Sequence, residues 1–176
     1  MYHSRSTAGA DIAVTGTVLT PTSAWTGAGP RPVVGFAVGT QGPGPQCAPS
    51  KQLSAGSEYE DAPISQALHK GWAVTVTDYE GYVTGGTSTY VTGRSEGHTV
   101  LDGVRAAQRL TGSGVARTAP LVLWGYSQGG GASAWATVLQ PSYAPSSGSS
   151  PTPRAAYPRT ARPSDSPGTA TSARPS

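Results

Sequence analysis

An open, mostly parallel α/β sheet is the fold class that this sequence predicts, and three observations carry it. Three apolar runs, Val33 to Val38, Trp72 to Thr77 and Leu121 to Trp124, are continuous rather than alternating, as strands buried on both faces of a parallel sheet require. Stretches with a helical apolar period separate or follow them. The resulting order, strand, helix, strand, helix, strand, helix, is that of an α/β sheet rather than of a sandwich or a bundle.

Each element has its own warrant. Ile12 to Leu19 is the first apolar run and reads as one strand. Glu58 to Lys70 places Ile64, Ala67 and Leu68 on one side and meets a stop at Gly71. Thr99 to Leu110 sets Val100, Leu101, Val104, Ala107 and Leu110 on a stripe of helical period. A last helix is expected from Gln128 to about Leu139, ended by Pro141.

Composition divides the chain. Of 176 residues only 12% are charged, about half the usual share, while Gly (24) and Pro (16) are abundant. Residues 1–145 hold 8 Lys or Arg and 8 Asp or Glu, so the net charge of +3 resides in the tail, where Arg154, Arg159, Arg162 and Arg174 face Asp165 alone. A basic pI with no basic face on the folded part is no sign of nucleic-acid binding. From Ser146 to Ser176 there is no Val, Ile, Leu, Phe, Met or Trp, and six residues are Pro. Such a stretch cannot bury enough apolar surface to offset its ordering entropy, so residues 1–145 are expected to form the domain and 146–176 a disordered tail. Two origins suit that tail: a natural Ser/Pro/Arg linker, or residues read out of frame from GC-rich DNA.

The single cysteine, Cys47, excludes an internal disulfide framework and a multi-cysteine metal site, and no cofactor or metal is expected. No run approaches the roughly 20 apolar residues that span a bilayer, and no apolar segment follows Met1 to Ser6 as in a signal peptide.

Chemistry enters through G-x-S-x-G, which holds a serine on a sharp turn between a buried strand and a helix. The chain has two matches, and a Gly- and Ser-rich chain of this length yields roughly 0.4 by chance, so context must decide. Gly93-Arg94-Ser95-Glu96-Gly97 follows polar, loop-like residues and lacks the strand. Its better reading is structural, with Ser95 capping the helix that follows and Glu96 near the positive end of its dipole. Gly125-Tyr126-Ser127-Gln128-Gly129 is entered directly from Leu121-Val122-Leu123-Trp124 and followed by small residues. Ser127 is therefore the candidate nucleophile, and the Gln128 amide at the helix start is placed to donate to a developing oxyanion. A second donor normally comes from the loop after an earlier strand, here Gly39-Thr40-Gln41-Gly42-Pro43-Gly44. The Gln41 amide is the candidate, and spacing alone fits a plain flexible connection equally well.

The segments Val33 to Gln41, Gln46 to Ser50, Gly71 to Val74, Thr77 to Gly81, Gly93 to His98, Val100 to Gly103, Trp124 to Gly131 and Ser142 to Pro145 resemble, in order, the secretory lipase family of the α/β hydrolases. The resemblance covers about Tyr2 to Pro145. It implies an α/β-hydrolase fold, action on triacylglycerols and related acyl esters at a lipid–water interface, residence outside the cell, Ser127 as nucleophile, and Gln41 and Gln128 as oxyanion donors. It also implies a later cysteine as partner for Cys47, and a triad Asp and His after the serine.

This chain supplies neither late triad member in matching sequence. Its histidines, His3, His69 and His98, all precede Ser127, and Asp165 lies in the tail. His69 and His98 read as surface or capping residues. The expectation is a sheet truncated after the nucleophile strand and helix, with that strand left as an open edge, and an inactive product. A non-catalytic lipid- or ester-binding half-domain with a basic tail is the alternative. A different hydrolase using His98 as base fails on order, since in this fold the base follows the serine.

Overall fold

The computed structural model describes residues 1–147, and the disordered-tail expectation lies from residue 148 onward outside the described residues. Four strands form the main sheet: β3 (Gly16–Leu19), β4 (Val33–Ala37), β5 (Ala73–Thr77) and β6 (Leu121–Gly125), in the order β3-β5-β4-β6. β4 lies parallel to both β5 and β6, and β3 pairs antiparallel with β5. All five residues of β4 and of β5 are buried, as their continuous apolar runs require. β6 pairs with β4 alone and, among the described residues, is an edge strand.

A second, two-stranded sheet pairs β1 (Tyr2–Arg5) with β2 (Asp11–Val14). The continuous strand expected over Ile12 to Leu19 is thus two strands in two sheets. The break is at Thr15, whose carbonyl accepts the Asp78 amide (2.9 Å) and whose hydroxyl donates to the Asp78 carboxylate (2.6 Å). Gly16 then passes so close to β5 that a Cβ there would sit 2.5 Å from the Val76 carbonyl oxygen. β1 carries no apolar run and gave no strand signal.

The helices are α1 (Pro49–Ala55), α2 (Asp61–His69), α3 (Gly93–Ala107) and α4 (Gln128–Tyr143). α1 is an addition to the expected set. α2 begins three residues later than its pattern, because Glu58 and Glu60 are drawn into buried hydrogen bonds ahead of it. α3 begins six residues earlier and swallows the first G-x-S-x-G. α4 runs through Pro141 to Tyr143: in the last turn a proline forfeits a single helical hydrogen bond and ends nothing by itself.

α3 covers the sheet with Val100 and Val104 against Gly35 of β4, and it crosses α4 closely at Gly97, where a Cβ would stand 2.9 Å from the Ala136 nitrogen. Phe36, Leu101, Val34 and Val74 are among the fully buried centre of the core. The parallel strands β4, β5 and β6 all release their C-terminal ends toward the same side, and the loops there build the candidate site.

Candidate active site

Ser127 stands between the end of β6 and the first residue of α4, with φ 53° and ψ −119°. A non-glycine residue rarely adopts that conformation, and it persists only where the surroundings impose it. They do so through two glycines. A Cβ on Gly129 would lie 1.8 Å from the Ala37 carbonyl oxygen, and one on Gly125 would lie 2.3 Å from the Gly129 carbonyl oxygen. The helix start is thereby pressed against the end of β4, and the turn between has room for only two residues. The Ser127 side chain is exposed and makes no capping hydrogen bond, although it occupies the N-cap position.

Gln128 is buried behind the serine, and its side-chain amide donates to Glu96 Oε1 at 2.7 Å. The same oxygen accepts the main-chain amide of Val91 (3.0 Å), a β-branched residue held at φ 55°. Glu96 thus ties the turn that precedes α3 to the start of α4. It is a buried carboxylate with a structural task, whereas the sequence suggested only an acid near a helix dipole. Ser95 caps nothing: it lies inside the first turn of α3, buried, and its hydroxyl donates to Glu80.

Gln41 lies in the loop that leaves β4. Its side chain donates to the buried Glu58, and the Gly39 amide donates to the buried Glu60 (2.6 Å). Tyr79, itself at φ 61°, donates to the Val38 carbonyl (2.6 Å), and Tyr82 to the Gly42 carbonyl (2.8 Å). Among the described residues neither the Gln41 nor the Gln128 main-chain amide has an acceptor. The loop adjoins the serine turn, since a Cβ on Gly39 would be 3.3 Å from the Tyr126 carbonyl oxygen. Beside it a cleft of about 580 Å³ is lined by Thr40, Pro43, Pro45, Tyr82, Thr87 and Tyr90.

The histidines are elsewhere. His3 and His69 are exposed, on β1 and at the end of α2. His98 is neither a surface nor a capping residue: it is 3% exposed in the second turn of α3, its Nδ1 is 3.1 Å from the Arg5 carbonyl, and its ring stacks on Tyr143 at 4.2 Å. Tyr143 is at the far end of α4 from Ser127, a helix of 16 residues and so about 24 Å long. Burial pushes the His98 imidazole below its ordinary range. Cys47 is a half-buried free thiol. Among the described residues no group of His, Cys, Asp and Glu side chains could hold a metal, and no helix is long and apolar enough to cross a membrane.

Burial holds the carboxyls of Glu60 and Glu96 above the ordinary carboxylate value of 4.5, outweighing the hydrogen bonds that favour their ionised forms. In the window between 4.5 and the raised value the folded chain binds more protons than the unfolded one, so these two groups withdraw stability as pH rises. Urea unfolding of Glu96→Gln beside the parent is the check. The variant's stability relative to the parent should improve as pH climbs from 4.5 through the raised value and then level off; a difference independent of pH would refute the assignment.

A strand, a sharp serine turn with obligatory glycines and a helix, at the C-terminal edge of a parallel sheet, define an α/β hydrolase. The secretory lipase family model matches residues 48–148, and the chain belongs to that family. A secreted triacylglycerol lipase of Malassezia furfur is 38% identical over 110 residues, covering 58% of this chain and 28% of its own length. A Mycobacterium tuberculosis protein named as a probable inactive lipase is 44% identical over 96 residues, covering 54% of this chain and 21% of its own. Among solved structures, lipase A of Candida antarctica superposes with a TM-score of 0.67 at 28% identity, over 84% of this chain and 34% of that one. The chain therefore spans between 21% and 28% of the length of these curated relatives.

Glu58, Glu60 and Tyr79 were not singled out from the sequence, and Glu96 was singled out only for its place near a helix dipole. Glu96 and Tyr79 fall inside segments that carry the family resemblance, a usable signal. Glu58 and Glu60 show only as an acid pair in the first turn of the expected helix, which ordinarily reads as a favourable start.

Proposed function

We propose that this chain carries the nucleophile and the oxyanion donors of a serine ester hydrolase acting on acyl esters such as triacylglycerols, outside the cell. The observation that carries the reading is the Ser127 backbone, strained at φ 53° and ψ −119° by two glycines that admit no side chain, with the hydroxyl exposed and capping nothing.

In this reading Ser127 Oγ adds to the ester carbonyl carbon as its proton passes to a base. The carbonyl oxygen takes up the negative charge and is met by the free main-chain amides of Gln128 and Gln41. Collapse of the adduct expels the alcohol and leaves acyl-Ser127, which water then hydrolyses. The lipase names of the relatives support acyl esters as substrate, and their description as secreted supports an extracellular setting. Exposed Tyr59, Tyr90, Val91, Tyr126 and Trp135 around the same loops suit a lipid–water interface.

No imidazole of this chain reaches Ser127, so the chain alone is expected to turn over esters several orders of magnitude more slowly than a complete triad would. Added imidazole supplies the missing base. With p-nitrophenyl butyrate and imidazole, intact-mass analysis should find one butyryl group per chain, located at Ser127 and absent from Ser127→Ala. An equal level of modification in the variant, or binding of the ester with Ser127 left unmodified, would refute the nucleophile assignment, the latter in favour of a non-catalytic ester-binding domain.

A further inference from the structure

We propose that Glu60 is a positioning residue for the oxyanion loop, acting with Tyr79 by fixing the peptide unit between Val38 and Gly39 at both of its polar ends. The role rests on the reading of Ser127 as nucleophile.

The Val38 carbonyl and the Gly39 amide belong to one peptide group. Its oxygen accepts from Tyr79 Oη at 2.6 Å, and its N–H donates to Glu60 Oε2 at 2.6 Å. Both side chains are buried, and they come from different parts of the chain, one from the segment before α2 and one from the end of β5. A peptide plane held at both ends cannot rotate without breaking two buried hydrogen bonds, one of them to a carboxylate. Four residues on, the Gly42 carbonyl is held by Tyr82 at 2.8 Å, and Pro43, which follows, has no N–H. Between these fixed points lie Thr40 and Gln41, whose side chains are tied to Tyr90 and Glu58 while the Gln41 main-chain amide stays free.

The loop is thus a frame that presents donors whose own hydrogen bonds are left open, which is what electrostatic preorganisation requires. Glu60 removes the Gly39 amide from that set and orients the donor two residues later. The ionisable groups facing Glu60 are Glu58 and Tyr59 of its own segment and Tyr79 after β5. Tyr126 of the serine turn and Glu96 of α3 belong to the same group of mutually interacting acids through Tyr59 and Tyr79. None is cationic. Among the described residues the carboxylate therefore serves no ion pair, and its work is done on the loop. It is raised above the ordinary carboxylate value by burial, so its ionisation can be followed separately from that of surface acids.

Two readouts test the proposal on the full chain. In ¹H–¹⁵N spectra the Gly39 amide proton should move downfield as Glu60 ionises, with a midpoint above the ordinary carboxylate value, and should cease to titrate in Glu60→Gln. This measurement does not depend on Ser127 chemistry. In the imidazole-assisted acylation of Ser127 by p-nitrophenyl butyrate, Glu60→Ala should slow the maximal rate by about 10- to 100-fold with little change in the half-saturating ester concentration. Glu60→Gln, which keeps an acceptor for the Gly39 amide, should restore most of the rate. Tyr79→Phe, which removes one hydroxyl and leaves the fold intact, should slow acylation in the same way if Glu60→Ala does not fold.

A Gly39 amide that ignores Glu60, or folded Glu60→Ala and Tyr79→Phe variants that acylate at the parent rate, would overturn the proposal. If the Gly39 amide titrates as expected but the parent is never acylated at Ser127, the nucleophile reading falls, and the role of Glu60 with it.

Discussion

Gly129→Ala is expected to abolish the folded state or come close to it, while Gly131→Ala, two residues along the same helix, leaves it intact or improves it. A Cβ on Gly129 would be 1.8 Å from the Ala37 carbonyl oxygen and 2.5 Å from its carbon, with the Val38 carbonyl carbon at 2.8 Å. These are main-chain atoms of Ala37, which ends the fully buried β4, and of the buried Val38 that follows it, so no side chain can swing away to make room. Relief requires α4 to move off the sheet, which separates Ala132 and Ala136 from the core. Overpacking of this kind costs about 3 kcal/mol or more, against a total of about 5–15 kcal/mol for a typical domain. Gly131 is exposed, and its Cβ would meet nothing within 4 Å. Alanine there should gain about 0.5–1 kcal/mol from reduced chain entropy. Soluble yield and urea midpoints of the two variants decide the matter. Equal behaviour would mean that the close approach of α4 to β4 is not what fixes the serine turn.

Asp78→Ala should be the most damaging change away from that turn. Asp78 is fully buried after β5 and accepts three hydrogen bonds: from the Ser50 amide (2.7 Å), the Ser50 hydroxyl (2.6 Å) and the Thr15 hydroxyl (2.6 Å). One side chain therefore joins the start of α1, the link between β2 and β3, and the end of β5. The bond to the Ser50 amide also satisfies one of the helix's orphan donors, a task that Ala48 at its N-cap position cannot perform. Alanine would leave three partly buried donors without their charged acceptor, a loss of about 3 kcal/mol. Asp78→Asn keeps the shape and one acceptor, and both hydroxyls can rotate to accept from its amide. It should retain most of the stability. Urea unfolding followed by tryptophan fluorescence should rank the parent above Asp78→Asn and both well above Asp78→Ala. Equal losses for Asn and Ala would show that the charge, rather than the acceptor geometry, holds the three segments together.

The serine turn was the most legible part of the site because all its requirements are contiguous. The buried strand, the two glycines and the small-residue helix start lie within about fifteen residues, and their order alone separates Ser127 from Ser95. Even so, the sequence misjudged Ser95, reading as a cap a residue buried in a hydrogen bond to Glu80, and it saw Glu96 only as an acid in the first turn of a helix, without its buried bond to Gln128. The first G-x-S-x-G looked like a loop followed by a helix, when the helix already contains it.

The loop after β4, proposed to carry an oxyanion donor, was legible only as a glycine-rich turn in the right place. What makes it more than a flexible connection is supplied by Glu58, Glu60, Tyr79, Tyr82 and Tyr90, which reach it from 17 to 50 residues away in sequence. No local pattern encodes such contacts, since an acid before a helix and a tyrosine after a strand have ordinary explanations of their own.

By itself, then, the sequence determined the α/β class, the three parallel strands, the serine turn and the family, because apolar periodicity, glycine spacing and a run of ordered motifs are written in neighbouring residues. Only the tertiary structure decided that Ile12 to Leu19 is two strands in two sheets, that His98 stacks on Tyr143 rather than facing solvent, and that three buried glutamates brace the site. Those outcomes depend on which distant atoms compete for each buried donor and acceptor. That competition is settled by the packing of the whole sheet and is absent from any single stretch of chain.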